Sequence, residues 1–193
     1  MERSFVKTKP CSHSWPFVVE IGVLIFLSLV LNLLLSSSIR ASEETACNDR
    51  HYVVHTPAER YVFSEVNRLR VERGLGVLKK NLKLQSAARE HSCEMSRLGY
   101  FSHDDFQGRD LKQRLAPFRL NWRSIAENIA KCQDSDPART AVDGWLHSPG
   151  HKRNMLNPEF TETGVGAITN PNGEISFCQI FMTAGQKLSE FSK

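Results

Sequence analysis

Residues 145–156 read WLHSPGHKRNML and place two histidines, His147 and His151, four positions apart. On a continuous helix this spacing puts both imidazoles on one face, where they can share a metal ion. Pro149 excludes a continuous helix, because proline removes a backbone hydrogen bond and pushes the preceding residue, Ser148, out of the helical region. We therefore expect a helix to end near His147, which then lies at the surface. His151 is expected to follow a turn and to meet partners from elsewhere in the chain.

The composition of the chain fits one globular domain with an N-terminal extension. Of its 193 residues, 40% are apolar and 24% are charged, which is ordinary for a folded domain. The formal net charge is +4, but no basic stripe underlies it. A nucleic-acid partner is therefore not expected.

The extension contains an apolar run, FVVEIGVLIFLSLVLNLLLSSSI at residues 17–39, of about the length that crosses a bilayer. Basic residues precede it and acidic residues follow it, so the positive-inside rule leaves residues 1–16 in the cytoplasm. The run is either kept as a signal anchor or cleaved as a signal peptide, and its length favours the anchor. A linker at 40–55, an exported domain at 56–186 and a C-terminal tail at 187–193 follow. The predicted location is the cell membrane, with the domain outside, or the medium after cleavage.

Export to an oxidising compartment changes the interpretation of the cysteines. Cys11 precedes the apolar run and is expected to stay reduced. Four cysteines follow the run and allow two disulfides with three possible pairings, while free buried cysteines are the alternative. They are Cys47, Cys93, Cys132 and Cys178. Because no C-x-x-C spacing is present, zinc binding by these thiolates is not expected.

Sequence periodicity predicts two helices in the first half of the domain. The capping-box sequence Thr56–Glu59 indicates the start of the first helix, and Gly74 indicates its end. The second helix follows Asn81 and ends at Gly99, with apolar residues at helical spacing between them. His91 falls in this apolar stripe, so we expect a buried imidazole bonded to nearby backbone rather than a ligand.

The second half of the domain combines helices with a terminal hairpin. A short helix is expected around Leu111–Leu115, and another after a cap at Ser135 or Asp136 with proline in its first turn. The segments TGVGAIT and EISFCQIFMT flank a turn at Asn170–Gly173 and predict a β-hairpin. Helices come first and the hairpin comes last, without βαβ alternation, so the predicted fold class is α+β.

Three short segments, FSH, AENIA and SPGH, each bring one titratable side chain among apolar or turn residues. These side chains are His103, Glu127 and His151. Two imidazoles and a carboxylate can bind a divalent metal, or can act as an acid and a base near neutral pH. Their spacing along the chain does not decide whether they meet in space.

Several motifs, in this order, resemble one known family: HSCEMSRLGYFSH, AENIA, W-x-x-SPGH-x-x-NML and GVGAI. The chain resembles the CAP superfamily, also called SCP or cysteine-rich secretory protein, antigen 5 and pathogenesis-related 1. The resemblance runs from about Arg60 to Ala184, and its spacing is most similar to compact bacterial-type members. It implies the CAP/SCP fold, an α-β-α sandwich with a central antiparallel sheet and a surface cleft.

The resemblance also implies the residues of that cleft. Many eukaryotic members place two histidines and two glutamates there, and His103, Glu127 and His151 match three of these four positions. Ser148 stands where the second glutamate is expected, which is similar to the bacterial-type pattern. We expect a weakly bound divalent metal, zinc, on the three matched residues. Asn128 and Ser148 are the further cleft candidates.

Two asparagines and a tryptophan flank these candidates. Asn128 and Asn154 are expected to hold the backbone of the cleft in place, and Trp145 is expected to be a core anchor on its helix. Neither Ser148 nor Ser102 stands in a G-x-S-x-G context, so no serine nucleophile is predicted.

Three functions remain open on this sequence. The first is a non-enzymatic domain at the cell surface that binds a lipid, a cell-wall component or an extracellular protein. The second is a metal-dependent hydrolase that acts on peptides or wall polymers, and the third is a structural adhesion module. The absence of the second glutamate favours binding over catalysis.

Overall fold

The computed structural model describes residues 51–185, all of which belong to one unit of the chain, Thr45–Lys193. The predictions for the cytoplasmic segment at 1–16, the apolar run at 17–39 and the tail at 187–193 lie outside the described residues. Within residues 51–185, no helix is both long enough and apolar enough to cross a bilayer.

A five-stranded sheet forms the middle layer of the domain. Four strands run in the order β1, β4, β5, β3, and β2 pairs with β4 beside β1. All pairs are antiparallel except the two-residue pairing of β2 with β4, which is parallel. The strands are β1 (Val53–Val54), β2 (Lys79–Lys80), β3 (Trp122–Cys132), β4 (Glu162–Thr169) and β5 (Ile175–Ala184). The predicted α+β class, antiparallel sheet and terminal hairpin are confirmed.

Five α-helices flank the sheet within the described part of the chain. They are α1 (Thr56–Val71), α2 (Leu82–Leu98), α3 (Leu111–Leu115), α4 (Pro137–His147) and α5 (Pro149–Leu156). A 3₁₀ turn, Ala116–Phe118, follows α3. Asn81 caps α2 with its side chain and Gly99 ends it in the left-handed conformation, as the sequence predicts.

The sequence does not predict α5, which begins directly after α4. Ser148 alone separates the two helices in an extended conformation, with φ −95° and ψ 118°. Pro149 then opens α5, where its missing N–H is not required by the helix. The turn expected after Ser148 is therefore a change of helix direction, and His151 lies in the first turn of α5. His147 is exposed at the end of α4, as predicted.

The start of the domain differs from the prediction. Val53–Val54, in the stretch predicted as a linker, pair with β4 and so belong to the sheet. The predicted capping box is also wrong, because His55 caps α1 through Nδ1, which accepts the Ala58 N–H at 3.1 Å. Glu59 does not turn back to the cap. Its carboxylate is buried and accepts hydrogen bonds from α2 instead.

Helices cover both faces of the sheet, because side chains along β5 alternate between two hydrophobic clusters. Phe177 and Phe181 pack with α1 and α4 on one face, whereas Cys178 and Ile180 pack with α2 on the other. The result is a three-layered α-β-α arrangement. Trp145 of α4 is 2% exposed within the first cluster, which confirms its predicted role as an anchor.

The glycines of GVGAI explain how closely α2 packs on β4. A Cβ atom on Gly164 would lie 2.2 Å from the Gln85 backbone nitrogen, and one on Gly166 would lie 2.4 Å from the Ala88 carbonyl carbon. Only glycine permits two backbones to approach so closely. This contact sets the position of α2 and of the loop that follows it.

Candidate functional site

The predicted site residues lie at the free edge of the sheet, which is formed by β3. An edge strand exposes carbonyl groups that need other partners. Trp145 Nε1 of α4 donates to the Ile129 carbonyl at 2.9 Å, and Asn154 Nδ2 of α5 donates to the Glu127 carbonyl at 3.1 Å. The two helices therefore cover this edge with side-chain hydrogen bonds.

Two asparagines fix α5 against β3. Asn128 Nδ2 donates to the His151 carbonyl at 3.1 Å, and Asn154 Nδ2 also donates to Asn128 Oδ1 at 2.9 Å. This agrees with the backbone-holding role expected for both residues. His151 is therefore placed by a contact between its own backbone and β3.

The loop between α2 and α3 carries His103. A ring nitrogen of His91, Nε2, bonds to the Ser102 carbonyl at 2.9 Å, and Arg114 Nη2 donates to the His103 carbonyl at 3.1 Å. Because a carbonyl only accepts, His91 Nε2 must carry the proton. Burial lowers the pKa of His91, and the charge of Arg114 lowers it further. The structural role predicted for His91 is thus confirmed.

Glu127 projects from β3 into the α2 side of the domain, and both of its oxygens are engaged. His103 Nδ1 donates to Oε1 at 2.9 Å, while Arg114 Nη2 and the Cys178 thiol donate to Oε2 at 2.6 Å and 3.1 Å. Burial raises the pKa of Glu127, but the hydrogen bond from His103 and the charge of Arg114 outweigh it, so the pKa is lowered. The carboxylate stays ionised inside the domain.

Arg114 is a site residue that the sequence analysis missed. Its side chain is only 7% exposed, and its Nε and Nη1 atoms are buried without a hydrogen-bond partner among the described residues. Burial lowers the pKa of Arg114, but the charge and hydrogen bond of Glu127, together with the neighbouring Cys178 and Tyr100, outweigh burial and raise it. In the sequence, Arg114 is one of several basic residues in a short helix, and no signal there separates it from its exposed neighbour Lys112.

The rings of His103 and His151 lie side by side, with centroids 6.4 Å apart and planes inclined by 50°. The hydrogen bond to Glu127 raises the pKa of His103 despite partial burial. Burial lowers the pKa of His151, and the charge of His103 lowers it further. His103 therefore keeps its proton to a higher pH than His151 does. The two neighbouring rings thus differ in their affinity for a proton.

Ser148 lies at the junction of α4 and α5, three positions before His151. Its side chain is half-buried and makes no capping hydrogen bond to α5. It does not replace the carboxylate that the family resemblance led us to look for at this position.

The predicted zinc ligand set does not fit this geometry. Within residues 51–185, no group of three or more His, Cys, Asp or Glu side chains is arranged to hold a metal ion. Both oxygens of Glu127 already accept hydrogen bonds, and His103 uses Nδ1 to reach one of them. Glu127 therefore orients His103, as carboxylates often do for a metal-ligating histidine. His103 Nε2 and the ring nitrogens of His151 remain as candidate metal ligands.

The prediction of two disulfides is wrong, because Cys132 and Cys178 are free and buried. Cys132 packs in the cluster on the α1 face and Cys178 in the cluster on the α2 face, so the sheet separates them. Burial raises the pKa of Cys132 to about 11. Cys93 is disulfide-bonded.

A family model described as the cysteine-rich secretory protein family, CAP, matches residues 63–181, which is more than half of the chain. The fold is a three-layered α-β-α domain with a candidate site at the β3 edge of its sheet. The chain belongs to the CAP family. The family predicted from the sequence motifs is thus confirmed.

Two proteins of Bacillus subtilis (strain 168) are similar to the chain. The uncharacterized membrane protein YlbC is 35% identical over 113 residues, which cover 58% of this chain and 32% of YlbC. The uncharacterized protein YkwD is 33% identical over 110 residues, which cover 57% of this chain and 42% of YkwD. The matched segment thus spans less than half of either relative.

Solved structures agree on the fold. An outer surface protein from Borrelia burgdorferi superposes with a TM-score of 0.64 at 21% identity, covering 69% of this chain and 98% of that one. An extracellular protein containing an SCP domain, from Bacillus anthracis str. Ames, gives a TM-score of 0.59 at 30% identity, with coverage of 66% and 40%.

Proposed function

We propose that the chain is an exported, membrane-tethered CAP domain that binds a ligand in the cleft at His103 and His151 without catalysing a reaction. The proposed ligand classes are a lipid, a cell-wall component and an extracellular protein. Three facts support export and tethering: the apolar run at 17–39, the name of YlbC as a membrane protein, and the extracellular relative from Bacillus anthracis.

The observation that carries a binding role is the engagement of Glu127. A general base must be within reach of the proton that it removes, with a lone pair available for it. The carboxylate instead accepts hydrogen bonds from His103, Arg114 and Cys178 inside the domain. The Glu127 side chain is 3% exposed. Such a carboxylate holds a neighbouring imidazole in one orientation, which suits a preformed binding surface.

A test of this proposal compares molecules retained by the purified full-length chain. The wild type, the double variant His103→Ala/His151→Ala and the control His147→Ala are extracted, and their lipids, wall fragments and peptides are identified by mass spectrometry. His147 is the matched control because it is an exposed histidine outside the cleft. We expect a compound enriched on the wild type and the control but lost from the double variant. Identical profiles for all three proteins would contradict the proposal.

A hydrolase is the second candidate, because the two imidazoles differ in the direction of their pKa shifts. Two neighbouring imidazoles whose pKa values are shifted apart are usual parts of an acid/base pair. Incubation of the retained compound with the wild-type chain separates the two roles. Unchanged recovery supports binding, whereas turnover that is lost in each single histidine variant supports hydrolysis.

Zinc remains a proposal for the two imidazoles alone. Two protein ligands with water in the remaining positions would hold zinc weakly. Calorimetry is expected to show uptake that is lost in His103→Ala and His151→Ala and retained in a folded Glu127→Gln variant. Because binding needs neutral imidazole, affinity should fall first as pH drops through the raised pKa of His103, and again as pH drops through the lowered pKa of His151. Loss in Glu127→Gln alone would instead make the carboxylate a ligand.

A further inference from the structure

A second surface of the domain combines exposed lysines with exposed apolar side chains. Residues 77–83 read VLKKNLK and contain no acidic residue. Val77 is 57% and Leu82 is 70% exposed, and all three lysines of the segment are exposed as well. Glu162 of β4 pairs with Lys79 of this segment, and its carboxylate accepts a hydrogen bond from Asn81 at 2.5 Å. The segment therefore presents positive charge and apolar surface together.

This segment lies on the same sheet edge as the start of the described chain. β2 pairs with β4 at Glu162 and Thr163, and β1 pairs with it at Ile168 and Thr169. Both strands lie along one edge of β4, because β5 occupies the other. Thr163 and Ile168 are five positions apart on β4, a distance of about 17 Å. Val53, which is 58% exposed in β1, thus lies along the same edge as the lysine segment.

A cavity lined by α1, α2, β2 and β4 adds further positive charge. Its lining includes Arg60, Lys80, Arg89 and Glu59. The buried carboxylate of Glu59 accepts hydrogen bonds from Arg89 Nε at 2.7 Å and Arg89 Nη2 at 2.6 Å, so it neutralises the charge of Arg89. The exposed cations Arg60 and Lys80 remain at the mouth of the cavity.

We infer that this surface, the basic edge formed by Val53, Arg60 and residues 77–83, docks onto the anionic surface of the membrane that carries the chain. The inference rests on the tethered topology proposed above. In that topology residues 40–52 join the bilayer to β1, and they span at most about 45 Å when extended. The basic edge is the part of the described domain that this short connection enters.

Elementary membrane physics favours such docking. Each lysine near an anionic surface strengthens association by a factor of about five, and exposed valine and leucine side chains gain by entering the interface. β3 lies at the opposite edge of the sheet, about 14 Å and three strand spacings away. Docking through the basic edge therefore turns the cleft at His103 and His151 away from the bilayer. A wall component or an extracellular protein then reaches the cleft more readily than a bilayer lipid does.

The docking can be measured on the full-length chain by acetylating its lysines. The chain is placed in nanodiscs of equal parts phosphatidylglycerol and phosphatidylcholine, or of phosphatidylcholine alone. We expect acetylation of Lys79, Lys80 and Lys83 to slow by about fivefold or more on the anionic discs. The effect should disappear at about 1 M salt, where the Debye length is about 3 Å. The exposed Lys112 and Lys152 are internal references on α3 and α5.

Two variants locate the contact. Leu82→Asp is expected to remove the protection of the three lysines, whereas Phe106→Asp should retain it. Phe106 is 68% exposed on the loop that carries His103, so it is a matched control on the cleft side. Equal acetylation rates on the two kinds of disc, or loss of protection in Phe106→Asp alone, would overturn the inference.

Alkaline extraction of membranes that carry the chain tests the anchor separately. If the chain stays in the membrane but its lysines are acetylated equally on both kinds of disc, the docking is contradicted and the proposed topology is not. If alkali releases the chain but its lysines are protected on anionic discs, the anchor is contradicted and the docking is not.

Discussion

At the scale of single residues, the site depends on the charge balance around Glu127. One buried carboxylate faces the guanidinium of Arg114, the imidazole of His103 and a thiol. Burial disfavours the charged forms of Glu127 and Arg114, so each depends on the other to remain charged, whereas Cys178 donates as a neutral thiol. This mutual dependence explains how one carboxylate can organise the side chains of the site.

Removal of Glu127 is expected to destabilise the domain. Glu127→Gln leaves the buried guanidinium of Arg114 without a counter-charge, which typically costs roughly 3–5 kcal/mol. Urea denaturation should show this loss, and Arg114→Met in the same background should recover part of it. Glu162→Gln, a partly exposed carboxylate on β4, is the control and should change stability by less than about 1 kcal/mol. Equal stability of the two single variants would refute the charge balance.

The imidazoles of His103 and His151 are expected to have pKa values shifted in opposite directions from the ordinary value of about 6.5. NMR titration should place the pKa of His103 above this value and that of His151 below it, in line with their hydrogen bonding and burial. Glu127→Gln removes the main cause of the His103 shift, so the pKa of His103 should fall. The same pKa for both histidines in the wild type would show that Glu127 does not act on His103.

The raised pKa of His103 also has a consequence for stability. Folding binds the proton more tightly than the unfolded chain does, so the contribution of His103 is full below about pH 6.5 and is lost as pH rises through the raised pKa. The stability difference between wild type and His103→Gln should therefore shrink with rising pH across that window. For Glu127, whose pKa is lowered, stability is instead lost as pH falls through the lowered value.

At the scale of elements, the contact of α2 with β4 sets the geometry on the α2 side of the domain. Two glycines of β4 lie against the backbone of α2, and the loop that follows α2 carries His103. A shift of this helix would move His103 relative to Glu127 on β3. The GVGAI motif is thus a structural requirement of the site, although no atom of it belongs to the site.

Gly166→Ala is expected to test this contact. The added Cβ would lie 2.4 Å from the Ala88 carbonyl carbon, and backbone atoms cannot yield as a flexible side chain does. We expect a loss of about 3 kcal/mol, measured by urea denaturation. Gly144→Ala is the control, because a Cβ there has no neighbour within 4 Å and alanine favours the helix by about 0.5–1 kcal/mol. Equal midpoints for the two variants would mean that α2 can move away freely.

At the scale of the whole molecule, a buried cation ties together the segments that pack on the α1 face of the sheet. Arg70 of α1 is fully buried, and its guanidinium donates to the carbonyls of Gly76, Met155, Asn157 and Phe160 at 2.8 to 3.2 Å. Four carbonyls replace the water that this cation loses, while burial lowers its pKa. The end of α5 is thereby tied to α1, while Asn128 holds the first turn of α5, at His151, against β3.

The burial of Cys132 and Cys178 on opposite faces of the sheet predicts how the cysteines react with an alkylating reagent. In the folded chain without reductant, Cys132 and Cys178 should resist alkylation because both are buried. Unfolding without reductant should expose both to the reagent, whereas Cys93 should react only after reduction. Mass spectrometry of the alkylated peptides reads this out. If Cys132 and Cys178 remained unlabelled after unfolding, the two-disulfide pattern expected from the sequence would be correct after all.

The sequence by itself determined the elements whose signals are local. The cap at Asn81, the stop at Gly99, the break at Ser148 and the turn at Asn170–Gly173 each depend on residues a few positions apart, and each lies where it was predicted. The ordered motifs also sufficed for the family, because they record the same local geometry several times along one chain. The nearness of His103, Glu127 and His151 was expected only from that resemblance.

Only the tertiary structure decided what those residues contact. Glu127 meets Cys178, 51 positions away, because β3 and β5 pair in one register, and it meets Arg114 because α3 folds over the same face. The same register and the alternation of side chains along strands place Cys132 and Cys178 on opposite faces and so prevent a disulfide between them. Local patterns carry no information about such pairings, because the free energy of a long-range contact depends on which surfaces the sheet and helices bring together.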